Sequence, residues 1–178
     1  MGAKVTIADA RLALLFNYWL AKKAGQAMPS PDRIDPAELP KAVQPNLMLL
    51  EVVRTSAGPR FRYCRVGDVF WRAGGNDPTG KYVDEILPPV AGYRDYVVGI
   101  YREMAETMRP MYTENFFILH HGHSDPMSTK RVSLPLSRDG ISVTMTLAAH
   151  VFDYGADGNS DAFKLVTGLK EGVRAFLD

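Results

Sequence analysis

Prolines concentrate in one short stretch of this chain: five of its twelve lie between Pro29 and Pro45. Because proline lacks a backbone donor and its ring clashes inside a helix, no long helix or central strand can pass through this stretch. Asp35-Pro36 predicts one short turn there, with Asp35 as its cap and Pro36 at the first helical position. Residues 27–46 are therefore predicted to form a connector that separates a flanking element, residues 1–26, from a core domain, residues 47–154.

The flanking element is predicted to be an amphipathic helix. Asp9 is a suitable N-cap, and Gly25 is a suitable residue to follow the last turn. Apolar residues recur at helical spacing and form one stripe. Since the connector separates this helix from the core, we expect the stripe to form a dimer interface, made of Leu12, Leu15, Phe16 and Trp19.

The core shows alternation typical of β-strands before and after a helical region. Two strands, 47–53 and 60–66, are joined by a turn at 56–59. Glycines break the connectors over 67–90, and a longer helix is predicted at about 91–108. Three strands follow, at 111–120, 129–136 and 141–154, with a hairpin turn at 137–140. This order predicts an α+β fold, a five-stranded antiparallel sheet with connector helices on one face.

The tail, residues 155–178, is predicted to be helical. Its apolar residues fit helical spacing from Leu165 to Leu177. Gly168 and Gly172 weaken that helix by about 1 kcal/mol each.

Composition limits the classes of partner. Lys and Arg total 21 against 20 Asp and Glu, which offers no electrostatic footprint for nucleic acid. Cys64 is the only cysteine, so a disulfide framework is excluded and a thiolate zinc site is disfavoured. No apolar stretch reaches the ~18 residues of a membrane span, and residues 1–9 lack the pattern of a secretory signal. We expect a cytoplasmic protein with neither nucleic acid nor membrane as a partner.

The element order, two strands, connectors, a longer helix and three strands, is that of a PAS domain. Short motifs strengthen the likeness over about residues 10–154: Tyr18-Trp19, Pro29-Ser30-Pro31, Ile34 to Pro40, Pro45-Asn46-Leu47, Phe61 to Gly67, Thr79 to Leu87, Pro110-Met111-Tyr112 and Leu134 to Gly140. The chain resembles a bacterial family of small, mostly stand-alone PAS-like proteins of unassigned function. That resemblance implies a ligand cavity between the inner sheet face and the connectors, and flanking helices that dimerise or transmit a signal.

The resulting prediction is a sensory, ligand-binding and protein-interaction module of signal transduction, a homodimer without catalysis of its own. An unidentified small molecule is expected to bind among Tyr63, Phe70, Trp71, Tyr82, Tyr101, Phe117 and Met145. Because this lining has no cluster of cationic residues, a multiply charged phosphate ligand is disfavoured. Two alternatives stay open: a structural dimerisation module with a filled core, and a small cone-shaped α+β-barrel enzyme of the isomerase or dehydratase type.

Several residues suggest other chemistry, and in each case an ordinary structural role is favoured. In the cluster of His120, His121 and His123, the last two would share a strand face and could bind a metal together. No third ligand lies at motif spacing, so a polar strand end is favoured. His150 is a possible haem ligand, but PAS haem sensors usually ligate from the long helix, which has no histidine here. Cys64 lies on a predicted strand, whereas flavin-reactive cysteines lie in a connector helix, so it is expected to pack ordinarily. Asp157, Asn159 and Asp161 begin like a calcium loop that lacks its glycine and closing glutamate.

Overall fold

A computed structural model describes residues 5–72, 76–87, 89–119, 127–153 and 166–178. Its helices are α1 (Ala10–Lys22), α2 (Val69–Arg72), α3 (Val83–Ile86) and α4 (Tyr93–Thr107). Its strands are β1 (Leu47–Thr55), β2 (Gly58–Val66), β3 (Met111–Leu119), β4 (Ser128–Leu136), β5 (Met145–Asp153) and β6 (Val166–Phe176). Between α1 and β1 the connector contains three 3₁₀ turns, at Pro31–Arg33, Pro36–Glu38 and Gln44–Asn46.

The strands form one antiparallel sheet in the order β2-β1-β5-β4-β3-β6. The α+β class and the antiparallel pairing are therefore confirmed. The predicted number of strands is wrong, because the sheet has six described strands and not five. The first five have the order of elements expected of a PAS-like core, and the sheet is compatible with that fold.

The sixth strand comes from the tail that was predicted to be helical. Over Val166–Phe176 the tail instead pairs antiparallel with β3, from Met111↔Phe176 to Leu119↔Val166. Pairing satisfies the backbone groups along an edge of β3 that would otherwise face solvent. The backbones also approach closely, since a Cβ added at Gly172 would lie 3.2 Å from the Glu114 carbonyl oxygen. Apolar spacing alone did not distinguish this strand from a helix.

Local signals at the start of the chain are confirmed. The Asp9 carboxylate accepts a hydrogen bond from the Arg11 amide at 2.9 Å and caps α1. The Asp35 carboxylate accepts from the Ala37 amide at 2.9 Å, with Pro36 in the first position of the short turn.

The turn before β5 shortens the predicted last strand, which begins at Met145 and not at residue 141. One Asp139 carboxylate oxygen accepts from the amides of Ile141 and Ser142, at 2.8 Å each. These bonds hold the pKa of Asp139 far below its usual value. Because the two amides are engaged in the turn, they are not available to a β-ladder.

Helix α1 covers one face of the sheet, which we call the outer face. The Trp19 indole N–H donates to the Pro135 carbonyl oxygen of β4 at 2.8 Å. Leu12, Leu15 and Trp19 are at most 1% exposed. These three residues therefore belong to the core of their own chain, and their assignment to a dimer interface is wrong. Of the predicted interface residues only Phe16 is partly exposed.

Helix α4 covers the opposite face, which we call the inner face. Its Tyr101 hydroxyl reaches the His150 ring of β5, and Tyr101 stacks obliquely against Phe61 of β2 with ring centroids 5.3 Å apart. Both faces of the central strands are therefore buried, and eight of the nine residues of β4 are buried.

Candidate functional site

The inner face is unusual because buried polar side chains occupy its centre. Alternation places Thr129, Arg131 and Ser133 of β4 on this face, and Thr113 lies directly opposite Arg131 in β3. Seven inner-face side chains carry buried nitrogen or oxygen atoms that make no hydrogen bond of good geometry to a described residue, and we call them the polar patch: Tyr96, Thr113, Asn115, Thr129, Arg131, Ser133 and Thr146. Weaker polar contacts join Tyr96 to Thr113 and Tyr93 to Arg131. Buried polar groups in proteins are nearly always hydrogen-bonded, so such a cluster requires an explanation.

Arg131 is the centre of the polar patch. It is 1% exposed, and neither of its terminal guanidinium nitrogens makes a hydrogen bond of good geometry within the described ranges, although the neutral Tyr93 hydroxyl interacts with the guanidinium. Those ranges also contain no carboxylate in an ion pair with it. A buried cation without a counter-charge costs on the order of several kcal/mol. The described residues therefore give this guanidinium neutral partners but no counter-charge.

His150 fixes the orientation of Arg131. The two residues lie opposite each other in β5 and β4, and the Arg131 Nε–H donates to His150 Nε2. The Tyr101 hydroxyl lies 3.3 Å from the same ring nitrogen. Because arginine is always a donor, His150 Nε2 must be an acceptor and the imidazole must be neutral. This confirms the interpretation of His150 as a buried, partnered histidine.

Burial controls the protonation states in this region. It lowers the pKa of His150 well below the usual 6.5, and the positive charge of Arg131 lowers it further. Burial raises the pKa of Tyr101 to about 12, and it also raises the pKa values of Tyr63, Tyr93 and Tyr96. The four tyrosines therefore keep their protons at neutral pH and can act as neutral hydrogen-bond donors.

Four of the predicted ligand-binding residues lie on the inner face or at its side. Tyr63 and Tyr101 are buried, and Phe117 packs edge-on against Tyr93 of α4 at 5.4 Å. Phe70 of α2 packs edge-on against His150 at 5.0 Å and is only partly buried. These aromatic rings surround the polar patch with apolar surface.

Two of the predicted residues lie elsewhere. Met145 is opposite Glu51 of β1 and Leu136 of β4, on the outer face, so its assignment to the cavity is wrong. Tyr82 lies beyond the free edge of β2, where the Arg60 guanidinium stacks on its ring at 3.8 Å. Trp71 belongs to α2, and its side chain is outside the described part of the structure.

Sequence reasoning missed Arg131, the residue with the most unusual environment. The pattern Thr129, Arg131, Ser133 alternates with Lys130, Val132 and Leu134, which is typical of a strand with one solvated face. Only the packing of α4 on that face shows that the polar side is buried too. An arginine between two hydroxyl residues on a strand was the only available signal, and it is a weak one.

Cys64 lies on a strand, β2, as expected, but its side chain is exposed there and does not pack in the core. Partial burial of its sulfur, and then the charge of Glu51, raise the pKa of the thiol. Little thiolate is therefore present at neutral pH, which disfavours a reactive cysteine.

Metal ligation finds no support within the described ranges, where no three His, Cys, Asp or Glu side chains gather as a metal site would require. The cluster of His120, His121 and His123 lies outside the described residues. So does the calcium-like pattern of Asp157, Asn159 and Asp161. Those two motifs stay as predictions. None of the described helices has the length and apolarity needed to cross a membrane.

A groove of about 720 Å³ lies outside the inner face, between residues 5–7, α1 and the end of β6. Its charged residues already have partners. Arg109 pairs with Asp178 at 3.0 Å and stacks on Phe176 at 4.4 Å. The groove therefore offers less unmet hydrogen-bonding capacity than the polar patch.

No family model, no curated protein and no solved structure matches this chain. The PAS-like resemblance is therefore a proposal, and it is compatible with the observed sheet.

Replacement of Arg131 by methionine should stabilise the ligand-free protein. Methionine has a similar length without the buried charge, and Tyr101 can still donate to His150. We expect the free energy of unfolding to rise by roughly 1–3 kcal/mol. Urea titration followed by circular dichroism measures this, with Lys130→Met, on the outer face, as the control. A clear loss of stability in Arg131→Met would show that the guanidinium is already satisfied in the free protein.

Acidification should destabilise the protein through His150. The folded protein keeps this imidazole neutral, whereas the unfolded chain takes up a proton near pH 6.5. This destabilisation is therefore absent above pH 6.5. As the pH decreases from 6.5, the free energy of unfolding decreases by up to ~1.4 kcal/mol per pH unit. Urea titrations at pH 7 and pH 5 should show this fall in the parent protein and a smaller one in His150→Gln. Equal pH dependence in the two proteins would contradict the assignment.

Proposed function

We propose that this chain is a PAS-type sensory domain that binds a small molecule at the polar patch, beneath α4. The observation that carries the proposal is the cluster of seven buried side chains with polar atoms that make no hydrogen bond of good geometry among the described residues. A core that serves only as structure gains from apolar groups at such positions, since each unsatisfied buried group costs about 1–3 kcal/mol. A bound molecule that supplies acceptors and donors offsets this cost.

The surroundings of the polar patch support ligand binding. Known small-molecule sites are largely apolar, with a few convergent polar groups. Here the aromatic side chains of Tyr63, Tyr93 and Phe117 supply the apolar surface, and the patch supplies the polar groups. Phe70 and Phe152 pack on one another beside His150 and are only partly buried, so this side of the patch lies near the protein surface.

Binding without catalysis is the form of the proposal that the chemistry favours. A general base needs a free lone pair directed at the substrate. The Nε2 lone pair of His150 instead accepts the Arg131 Nε–H, and Tyr101 approaches the same atom. We therefore propose that the domain recognises its ligand, and that a signalling protein or a second copy of the chain reads the bound state.

Native mass spectrometry of freshly purified protein tests this proposal. We expect an excess mass that disappears on denaturation, and a thermal midpoint that falls when the small molecule is removed by dialysis. Ser133→Leu should fill the patch and abolish the excess mass, whereas Ser56→Leu, in the exposed turn after β1, should retain it.

Two results would replace the proposal. Protein that carries no small molecule, and whose thermal midpoint is unchanged by cell extract metabolites, would favour a structural module with a filled core. A small molecule that is chemically converted on incubation with the protein would favour an enzyme.

A further inference from the structure

We infer that the ligand of the polar patch is a small organic monocarboxylate, held by the Arg131 guanidinium. This inference rests on the proposed function, because it requires that the patch binds a small molecule. It adds the chemical class of the ligand and the residue that recognises it.

Charge is the first argument. The Arg131 guanidinium is a cation, and it is buried with no described carboxylate paired to it. Water or a neutral ligand can satisfy the hydroxyl groups of the patch, but neither neutralises the cation. A bound anion does both, and it turns a costly buried charge into a charge-assisted pair.

The geometry of the guanidinium is the second argument. Its Nε–H donates to His150, and its two terminal nitrogens form a planar fork that faces the neutral Tyr93 hydroxyl and no described carboxylate. A carboxylate accepts from such a fork with both oxygens. The Thr113 hydroxyl, directly across from Arg131, and the Ser133 hydroxyl, two residues along β4, are neighbouring donors for the remaining lone pairs.

Within the described ranges, Arg131 is the only buried lysine or arginine. Arg174 of β6 lies opposite Thr113 and is also on the inner face. Its guanidinium is already paired with Glu103 and Glu171. The neighbouring tyrosines are neutral, because burial raises their pKa values. One net positive charge fits one negative charge, so a monocarboxylate suits the site better than a phosphate. The aromatic rings around the patch fit an apolar body on that carboxylate.

Titration calorimetry with matched pairs of probes tests the inference. The probes are acetate, butyrate and benzoate, each beside its neutral amide, with inorganic phosphate as a further anion. We expect at least one carboxylate to bind, and its amide to bind at least about 30-fold more weakly, since a hydrogen bond to a charged group is lost. Arg131→Met should lose carboxylate affinity by a similar factor, and Lys130→Met should keep it.

Arg131→Lys replaces the guanidinium by an ammonium group, which can carry a charge but has a different shape. Lysine supplies a point charge without the planar fork, so its affinity should fall between the parent protein and Arg131→Met. Circular dichroism of each variant confirms that it is folded before binding is measured.

The inference is overturned if none of the three carboxylates binds, if an amide binds as tightly as its acid, or if Arg131→Met keeps full affinity. Phosphate binding tighter than all three carboxylates would also overturn it. These results differ from failure of the proposed function. A neutral molecule that co-purifies with both the parent protein and Arg131→Met would refute the carboxylate and leave ligand binding intact.

Discussion

Replacement of Gly67 by alanine is expected to destabilise the protein by about 3 kcal/mol or more, at the upper end for overpacking. Gly67 follows β2 and lies against the turn before β1. A Cβ at this position would lie 2.2 Å from the Pro45 carbonyl oxygen and 2.6 Å from that of Gln44. Both contacts are with backbone, so no side-chain rotation relieves them. The Gly67 amide also donates to the Leu47 carbonyl oxygen at 2.7 Å, and movement of the chain would break this bond.

Gly99 of α4 provides the matched control. The nearest atom to an added Cβ there, outside the helix backbone, is an Arg174 nitrogen at 3.9 Å. Because alanine is the better helix former, Gly99→Ala should stabilise the protein by up to ~1 kcal/mol. Urea titration of both variants should therefore give shifts of opposite sign. Unchanged stability in Gly67→Ala would show that the turn at residues 44–46 moves aside at no cost.

Replacement of Trp19 by alanine is expected to cost about 3–5 kcal/mol, the range for removal of a large buried aromatic side chain. Trp19 is 1% exposed on the outer face, and its indole donates to the Pro135 carbonyl oxygen. Trp19→Phe keeps much of the buried area and loses only the hydrogen bond, so it should cost about 1–2 kcal/mol. Thermal or urea unfolding of the three proteins should rank them in this order.

The Trp19 variants also test how α1 is used. Since its stripe is buried within one chain, the loss of stability should not depend on protein concentration. Light scattering of Trp19→Ala under native conditions decides the alternative. A folded monomer of unchanged stability, obtained from a dimeric parent protein, would return Trp19 to a subunit interface.

Substitutions on the two faces of the sheet should therefore have opposite effects on the stability of the ligand-free protein. On the outer face, removal of a side chain such as Trp19 should weaken the fold. On the inner face, removal of the Arg131 charge should strengthen the ligand-free fold and weaken binding. A residue that lowers stability while it supports binding is typical of a functional site. A gain of stability in the Arg131 variant, beside a loss in the Trp19 variant, would therefore support the polar patch as the binding site.

The sequence by itself determined the features that depend on local chemistry. Asp9 and Asp35 cap their turns because their carboxylates reach amides two residues away. The strand at 129–136 and the absence of a long helix between β2 and α4 were also predicted, because strand-forming residues and glycines act on their neighbours in the chain. The antiparallel pairing followed from the short turns between adjacent strands.

Tertiary structure decided the features that depend on what covers each surface. The apolar spacing from Val166 to Phe176 suits a helix equally well, and only the open edge of β3 selected a strand. Leu12, Leu15 and Trp19 form the same stripe whether they meet a second subunit or their own sheet, and packing selected the sheet. The pattern around Arg131 fits a solvated strand face equally well, and the packing of α4 made it a buried one. Periodicity states which residues share a face, whereas the burial and pairing of that face arise from contacts between residues far apart in the chain.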